Sequence, residues 1–125
     1  MGTFTVTIQV GDLAGQQFIE VEAPVDTGAT YTVLPASTLR QLGIEAIERR
    51  LFRLADERTI EYPVADARVR LDGGEHITLV VFGPEDAAPL VGAVTLETFG
   101  LGVDPVGQRL IPVAALLKQV WLWSR

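Results

Sequence analysis

The chain carries the stretch Val25-Asp26-Thr27-Gly28-Ala29-Thr30, in which an apolar residue leads an aspartate into a Thr-Gly turn. Glycine at position 28 removes the side chain that would stop the backbone from turning beneath the Asp26 carboxylate. The hydroxyl groups of Thr27 and Thr30 can bond to buried oxygens or fix the neighbouring backbone. We therefore expect a carboxylate on a tight, buried turn. The motif occurs once, so a catalytic pair would need a second copy of the protein.

Composition and charge exclude several classes of function. The chain has 125 residues, 48% of them hydrophobic, which suits one globular domain. A formal net charge of −6 makes nucleic acid an improbable partner, because an acidic surface repels phosphates. There is no cysteine and one histidine, His76, which excludes disulfides, thiolate chemistry and histidine-rich zinc sites. We expect neither a metal nor an organic cofactor.

The N-terminal residues and the apolar runs bear on location. Residues 1–6 have no basic segment followed by a continuous apolar segment, which a secretory signal peptide requires. No apolar run approaches the length of about 18 residues that spans a membrane. We therefore expect a cytoplasmic protein with no membrane contact.

Alternating apolar and polar residues predict a mainly β domain. Strands are predicted in residues 4–10 and 18–22, followed by hairpins over 51–62, 64–82 and 101–113. Short helices are predicted in residues 36–42 and 95–99, each followed by a glycine. The two halves thus echo each other as strand, glycine turn, short helix and glycine. The predicted fold is closed or sandwich-like, with one or two short helices.

These motifs together resemble the retropepsin-like aspartic proteases, in particular bacterial single-domain members. The sharpest likeness is Val25-Asp26-Thr27-Gly28-Ala29-Thr30, and the second is Pro89-Leu90-Val91-Gly92-Ala93. The third is the segment 103–112, which looks like the closing hairpin of the bacterial members. The resemblance covers residues 4–113 and implies an acid-protease domain over 1–113. It also implies a homodimer that cleaves peptides with a water activated by two aspartates.

The resemblance assigns roles to individual residues. Asp26 would be the catalytic residue, contributed once by each subunit, with a peptide or protein as substrate. Residues around it would support the catalytic loop: Thr27, Gly28, Ala29 and Thr30. The second glycine turn would be Leu90, Val91 and Gly92. The hairpin over 51–62 would be a flap closing over the substrate, with its tip at Ala55, Asp56, Glu57 and Arg58.

Two departures from the family pattern keep an alternative open. The predicted flap tip has charged residues where retroviral members have glycines. Retroviral members also carry an aspartate at the position of Thr30 and an arginine at that of Ala93, and this ion pair is missing here. Losing both partners leaves no unpaired charge. The alternative is a non-catalytic binding or dimerisation module of the same fold.

Simpler interpretations also exist for single residues. Asp26 alone would be read as an Asx turn, in which aspartate bonds the backbone of its own loop. Asp104 precedes Pro105 without a Thr-Gly turn and is interpreted as a hairpin residue. The tail 114–125 is apolar and contains Trp121 and Trp123. It would pack on its own domain or at a dimer interface.

Overall fold

The computed structural model describes residues 4–115. Eight strands and two short helices follow one another along this part of the chain. They are β1 (Thr5–Gly11), β2 (Phe18–Pro24), β3 (Thr32–Pro35), α1 (Ala36–Gln41), β4 (Glu48–Arg53), β5 (Thr59–Leu71), β6 (Gly74–Gly83), α2 (Ala93–Thr98), β7 (Leu101–Asp104) and β8 (Arg109–Pro112).

The first hairpin forms as its alternating sequence predicts. β1 and β2 pair antiparallel, with Thr5 opposite Pro24 and Gly11 opposite Phe18. Ile8 and Val10 are fully buried, because alternate residues of β1 face the core. This hairpin leads directly into the Asp26 turn, since Val25 follows the last residue of β2.

The two central hairpins share one long strand. β5 pairs with β4 over its first half and with β6 over its second half. Pro63 lies within β5, opposite Arg49 and outside the pairing with β6, so its missing N–H breaks no bond to β6. Asp72 and Gly73, which join β5 to β6, have φ angles of 52° and 83°. Positive φ at both central residues is the geometry that favours Asp-Gly in a two-residue hairpin.

The helices and the short strand β3 complete the domain. α1 begins where predicted and ends one residue earlier, at Gln41, and Gly43 beyond it has a φ of 74°. α2 begins two residues earlier than predicted and is likewise followed by a glycine with positive φ, Gly100. The sequence pattern does not predict β3, which pairs parallel with β6. Four residues are too few to show a periodic pattern, and their partner lies far along the chain.

The predicted mainly β class with two short helices is confirmed. The main sheet has the order β2-β1-β5-β6-β3, with β4 added at β5, and β7-β8 form a separate pair. β3 and β6 are parallel and the other pairs are antiparallel, so the sheet is mixed. In residues 4–115 the path ends at β2 and β3 without joining them. In this part of the chain the sheet is not closed, so the closed alternative of the predicted fold is not confirmed.

The core lies between the main sheet and the two helices. Leu39 of α1 and Leu96 of α2 are buried in the same cluster as Ile8, Val69 and Val80. Burial of such side chains stabilises a fold by roughly 1.5–3 kcal/mol each. Among residues 4–115, no helix is both long and apolar enough to cross a membrane. The predicted tail 114–125 lies outside the described residues from position 116 onward.

Candidate active site

The Asp26 loop is fastened to the second glycine turn by backbone hydrogen bonds. The Asp26 N–H donates to the Val91 carbonyl oxygen at 2.9 Å, and the Val91 N–H donates to the Pro24 carbonyl oxygen at 2.9 Å. Val25 and Val91 thereby form a parallel bridge, and both side chains are buried. The segment Leu90-Val91-Gly92 therefore lies directly beside the aspartate, although 65 residues separate Asp26 from Val91.

The Asp26 carboxylate is held by its own turn. The carboxylate Oδ1 accepts a hydrogen bond from the Gly28 N–H at 2.9 Å. The backbone carbonyl oxygen of Asp26 accepts a second bond from the Ala29 N–H at 3.1 Å. A side chain at position 28 would bring a Cβ to 3.2 Å from Oδ1, which is tighter than most Cβ contacts. The bond from Gly28 is that of an Asx turn, so that interpretation describes the local geometry correctly.

The turn is exposed, whereas the sequence analysis predicted burial. Val25 is 4% exposed, but Asp26, Thr27 and Gly28 all lie at the surface of the single chain. The chain leaves the core directly after Val25. Asp26 is consequently accessible to a second molecule.

Further backbone bonds join the two loops at the position of the missing ion pair. The Ala93 N–H donates to the Ala29 carbonyl oxygen at 2.8 Å, and the Val94 N–H donates to the Thr30 carbonyl oxygen at 2.9 Å. The side chain of Thr30 is exposed. The backbone carbonyls of Ala29 and Thr30 thus join the Asp26 loop to the start of α2.

A group of buried threonines lies beneath these loops. The Thr32 and Thr95 hydroxyl oxygens are 2.6 Å apart, and the Thr78 hydroxyl lies 3.3 Å from that of Thr95. Thr32 Oγ1 also accepts the Gly92 N–H at 3.1 Å. A Cβ at Gly92 would lie 2.5 Å from the Tyr31 carbonyl carbon, so only glycine fits there. These contacts fix the second glycine turn relative to the Asp26 loop.

An open cleft of about 840 Å³ extends from the Asp26 loop to the hairpin formed by β4 and β5. Asp26 and residues 28–31 line the cleft together with residues 50–55 and Tyr62. Pro84, Ala87 and Ala88, from the loop after β6, also line it. Its size suits several side chains of an extended chain.

The four predicted tip residues lie at the turn of this hairpin, but they differ in what they contact. Ala55 lines the cleft. Asp56 Oδ2 accepts from Arg58 Nε at 2.6 Å, and Glu57 lies 3.7 Å from Arg53. Glu57 has a φ of 72°, in the region where the retroviral pattern has glycine. The charges at the tip are therefore paired within the hairpin.

The cleft contains Tyr31 and Arg50, which the sequence did not point to, and Phe52 and Tyr62, which lie within the predicted flap over 51–62 but were not singled out there. The Tyr31 and Phe52 rings meet edge to face at 6.0 Å, and the Phe52 and Tyr62 rings lie 6.2 Å apart. Arg50 Nη1 donates to the Tyr31 hydroxyl at 2.8 Å, and its Nε donates to Glu48. The Glu48 carboxylate raises the pKa of Arg50, which keeps the guanidinium charged. The strand period places Arg50 and Phe52 on one face of β4, and this signal could have found them.

Other candidate groups take structural roles. Asp104 accepts from the Val106 N–H at 3.1 Å within the β7–β8 hairpin, as its interpretation as a hairpin residue predicts. The Gly107 N–H, with further help from Val106 and Arg109, holds the pKa of Asp104 below its usual value. Among residues 4–115, no three His, Asp or Glu side chains are grouped so that they could hold a metal ion.

The fold and this loop pair define a class: a mainly β domain in which an Asp-Thr-Gly turn is bonded to an apolar-Gly turn beneath a cleft. The sequence pattern of the family described as gag-polyprotein putative aspartyl protease matches residues 11–98 of this chain. That match covers most of the chain and includes both Asp26 and Gly92, so the protein belongs to this family of aspartyl proteases. No curated protein shows a significant sequence match to it.

Proposed function

We propose that the protein is an aspartic endopeptidase whose catalytic pair consists of Asp26 from each of two copies in a homodimer. The observation that carries this proposal is the exposed Asp26 carboxylate, fixed by the Gly28 N–H on the wall of the cleft. Family membership supports peptides as substrates. One chain supplies one such carboxylate, so the pair needs a two-fold axis next to the Asp26 turn.

The proposed reaction needs the two carboxylates to carry one proton between them. Two carboxyl groups at hydrogen-bond distance from each other cannot both be ionised, because their negative charges repel. The ionised Asp26 takes a proton from a water molecule, which attacks the carbonyl carbon of the peptide bond. The protonated Asp26 of the other copy hydrogen-bonds the carbonyl oxygen and stabilises its developing charge. The C–N bond then breaks, and the proton taken from the water passes from the first Asp26 to the leaving amine nitrogen. The nucleophile is water, so the proposal includes no cofactor.

Neighbouring residues would support this pair. Thr27 is exposed next to Asp26 and is available to brace the loops of the two copies against each other. The carbonyl oxygens of Ala29 and Thr30 already receive bonds from the second loop, which is the support the proposal requires. A carboxylate that is already held in position needs little reorganisation during the reaction, which keeps the activation free energy low.

The β4–β5 hairpin would act as the flap. Residues 50–55 line the same cleft as Asp26, which suits a segment that covers an extended peptide. Ala55 is the tip residue placed to contact substrate, whereas Asp56, Glu57 and Arg58 would act through the shape of the tip. We further propose that the protease domain ends near residue 113. A cytoplasmic location remains a prediction.

Digestion of a diverse peptide library by the wild type and by Asp26→Asn tests the proposal. The substitution is close to isosteric, but it leaves neither copy a carboxylate to act as general base. We expect wild type to cleave and Asp26→Asn to lose at least about 10³-fold in rate, since two catalytic carboxylates are removed. Asp72→Asn is the matched control, because Asp72 lies in the β5–β6 turn and asparagine tolerates its positive φ.

Each outcome of this digestion decides between the two functions. Cleavage by wild type and Asp72→Asn but not by Asp26→Asn supports the peptidase. Equal cleavage by all three proteins would identify a contaminating enzyme. No cleavage by folded, dimeric wild type would favour the binding or dimerisation module, which requires the fold but not the carboxylate pair.

A further inference from the structure

We propose that the cleft selects peptides with an acidic side chain close to the cleaved bond, and that Arg50 together with Tyr31 determines this preference. The inference rests on the proposed peptidase function and names the substrate class of the same site. It would make the enzyme selective for peptides that combine a carboxylate with apolar residues.

The charge distribution supplies the first argument. The chain as a whole is acidic, with a formal net charge of −6. The charged side chains that line the cleft are Arg50, Arg53 and Asp26, whereas Glu48 and Glu57, which pair with the two arginines, do not line it. A ligand in the cleft therefore meets two cationic groups and one carboxylate per chain. This lining favours acidic ligands over basic ones, and the paired glutamates reduce the size of the effect.

The geometry of Arg50 supplies the second argument. A guanidinium has five N–H donors. In the described part of the chain, Arg50 Nε bonds to Glu48 and one Nη1–H bonds to the Tyr31 hydroxyl, which leaves three donors. The Arg50 side chain is 40% exposed and lines the cleft, so a ligand bound there can approach the guanidinium. A carboxylate can accept two parallel bonds from such a group, which a neutral amide cannot match.

Tyr31 adds a further donor and an apolar frame. Its hydroxyl accepts a bond from Arg50, so its own proton remains available to a ligand carboxylate. The Arg50 guanidinium lies 5.7 Å from the centre of the Tyr31 ring, which fixes its orientation. The Tyr31, Phe52 and Tyr62 rings form a continuous apolar surface beside these donors. The site therefore suits an acidic side chain that is followed or preceded by apolar ones.

Two-fold symmetry gives the preference a specific form. A homodimer places one Arg50 on each side of the cleaved bond. A substrate carboxylate should therefore improve cleavage from either side of the cleaved bond, at the same distance from that bond. Lysine at the same positions should impair it more than glutamine does, because two positive charges would face each other.

The test uses pairs of otherwise identical apolar peptides that carry Glu or Gln at a single position, moved stepwise along the peptide. For wild type we expect kcat/KM to be at least about fivefold higher for Glu than for Gln at the best position. Arg50→Gln should bring this ratio close to one. Arg49→Gln is the matched control, since Arg49 lies on the same strand, pairs with Glu61 at 3.0 Å and does not line the cleft.

Two milder substitutions distinguish a specific role of Arg50 and Tyr31 from a general loss of folding. Arg50→Lys keeps the charge but loses the forked donors, so it should retain only part of the ratio. Tyr31→Phe removes the hydroxyl and keeps the ring, and it should lower the ratio without abolishing it. Circular dichroism verifies that each variant is folded. A wild-type ratio near one at every position, or a ratio that Arg50→Gln leaves intact, would overturn the proposal.

The failure of this inference is distinguishable from that of the proposed function. Wild type that cleaves Glu and Gln peptides equally would refute the preference and leave the peptidase standing. If wild type cleaves no peptide, the proposed function fails, and calorimetric binding of the same peptide pairs decides the preference. Binding of Glu peptides that is at least about fivefold tighter, and is lost in Arg50→Gln, would support it. Equal binding would overturn it.

Discussion

The hydroxyl oxygens of Thr32 and Thr95 lie 2.6 Å apart in the buried core beneath the Asp26 loop, across 63 residues of sequence. Thr32 also receives the N–H of Gly92, and Thr95 approaches Thr78. The pair therefore joins β3, which follows the Asp26 loop, to α2, which follows the second glycine turn. Separating the two loops would leave these buried hydroxyls without partners, which costs free energy. The pair therefore stabilises one relative position of the loops.

Thr32→Val should destabilise the fold by about 1–3 kcal/mol, because it leaves the Gly92 N–H buried without an acceptor. Thr95→Val should have a smaller effect, since Thr32 then still accepts from Gly92. Urea unfolding at one fixed protein concentration measures both values.

The double variant provides the control for this pair. Removing both hydroxyls leaves fewer orphaned groups than the two single changes suggest. The double variant should therefore lose less stability than the sum of the single variants. Additive losses would show that the two hydroxyls act independently, contrary to the hydrogen bond described.

Gly92→Ala should reduce both stability and peptidase activity. Its Cβ would lie 2.5 Å from the Tyr31 carbonyl carbon, so the backbone of the Asp26 loop must move. Overpacking of this kind costs about 1–3 kcal/mol. Urea unfolding and peptide cleavage measure the two effects.

Gly43→Ala is the matched control for Gly92→Ala. Gly43 has a φ of 74°, and a Cβ added there would meet no atom within 4 Å, so alanine introduces backbone strain alone, of about 1–2 kcal/mol. It lies after α1, away from the Asp26 loop. Activity per folded molecule should fall only in Gly92→Ala, and an equal fall in both variants would refute a specific role for the Gly92 contact.

The Glu85 carboxylate should make stability depend on acid pH. It accepts bonds from the Ser37 hydroxyl at 2.5 Å and from the Ser37 N–H at 2.8 Å, which hold its pKa below the ordinary value of 4.5. A lowered pKa in the folded state contributes stability above pH 4.5 that is lost as the pH falls through the folded value. Ser37→Ala removes the hydroxyl bond, so its stability should fall less than that of wild type between about pH 6 and pH 3.

The pH experiment needs Glu85→Gln as its control. Glutamine has no titrating group, so in this variant the contribution of the Glu85 carboxylate to the free energy of unfolding is absent at every pH. Glu75 and Asp104, whose pKa values are also lowered, titrate in all three proteins and cancel in the comparison. Parallel acid curves for wild type and both variants would contradict the role of the Ser37–Glu85 contact.

Substitutions at the tip of the β4–β5 hairpin should differ in their effect on peptide cleavage. Ala55 lines the cleft, so Ala55→Glu should raise KM by blocking it. The combined change Asp56→Asn and Arg58→Gln removes an exposed ion pair that contributes about 0–1 kcal/mol. It should lower kcat/KM less than Ala55→Glu does. The reverse order in a peptide cleavage assay would show that the charged side chains themselves contact substrate.

Local patterns explain what the sequence predicts well. The hairpin of β1 and β2 follows from alternation over neighbouring residues, and the Asp72-Gly73 turn follows from residue types that accept positive φ. The Asp26 turn is likewise local, because Gly28 bonds the carboxylate two residues away. Such features depend on adjacent residues, so the local sequence is enough to predict them.

Distant contacts explain what the sequence does not reveal. The Arg50–Tyr31 bond and the Thr32–Thr95 bond depend on how separate strands are placed in three dimensions. The exposure of Asp26 depends on where the chain leaves the core, which an apolar residue before the motif does not specify. The open sheet similarly depends on the positions of β2 and β3, since alternation alone does not determine whether edges meet.

Mixing wild type with Asp26→Asn tests the central claim of a shared catalytic pair most directly. The two proteins are unfolded together in equal amounts and refolded, so that copies combine at random at constant total concentration. If each active site needs Asp26 from both copies, only about one quarter of the dimers are active, and activity should fall to about one quarter. A fall to about one half would show that each chain works with its own Asp26 alone, and would contradict the account.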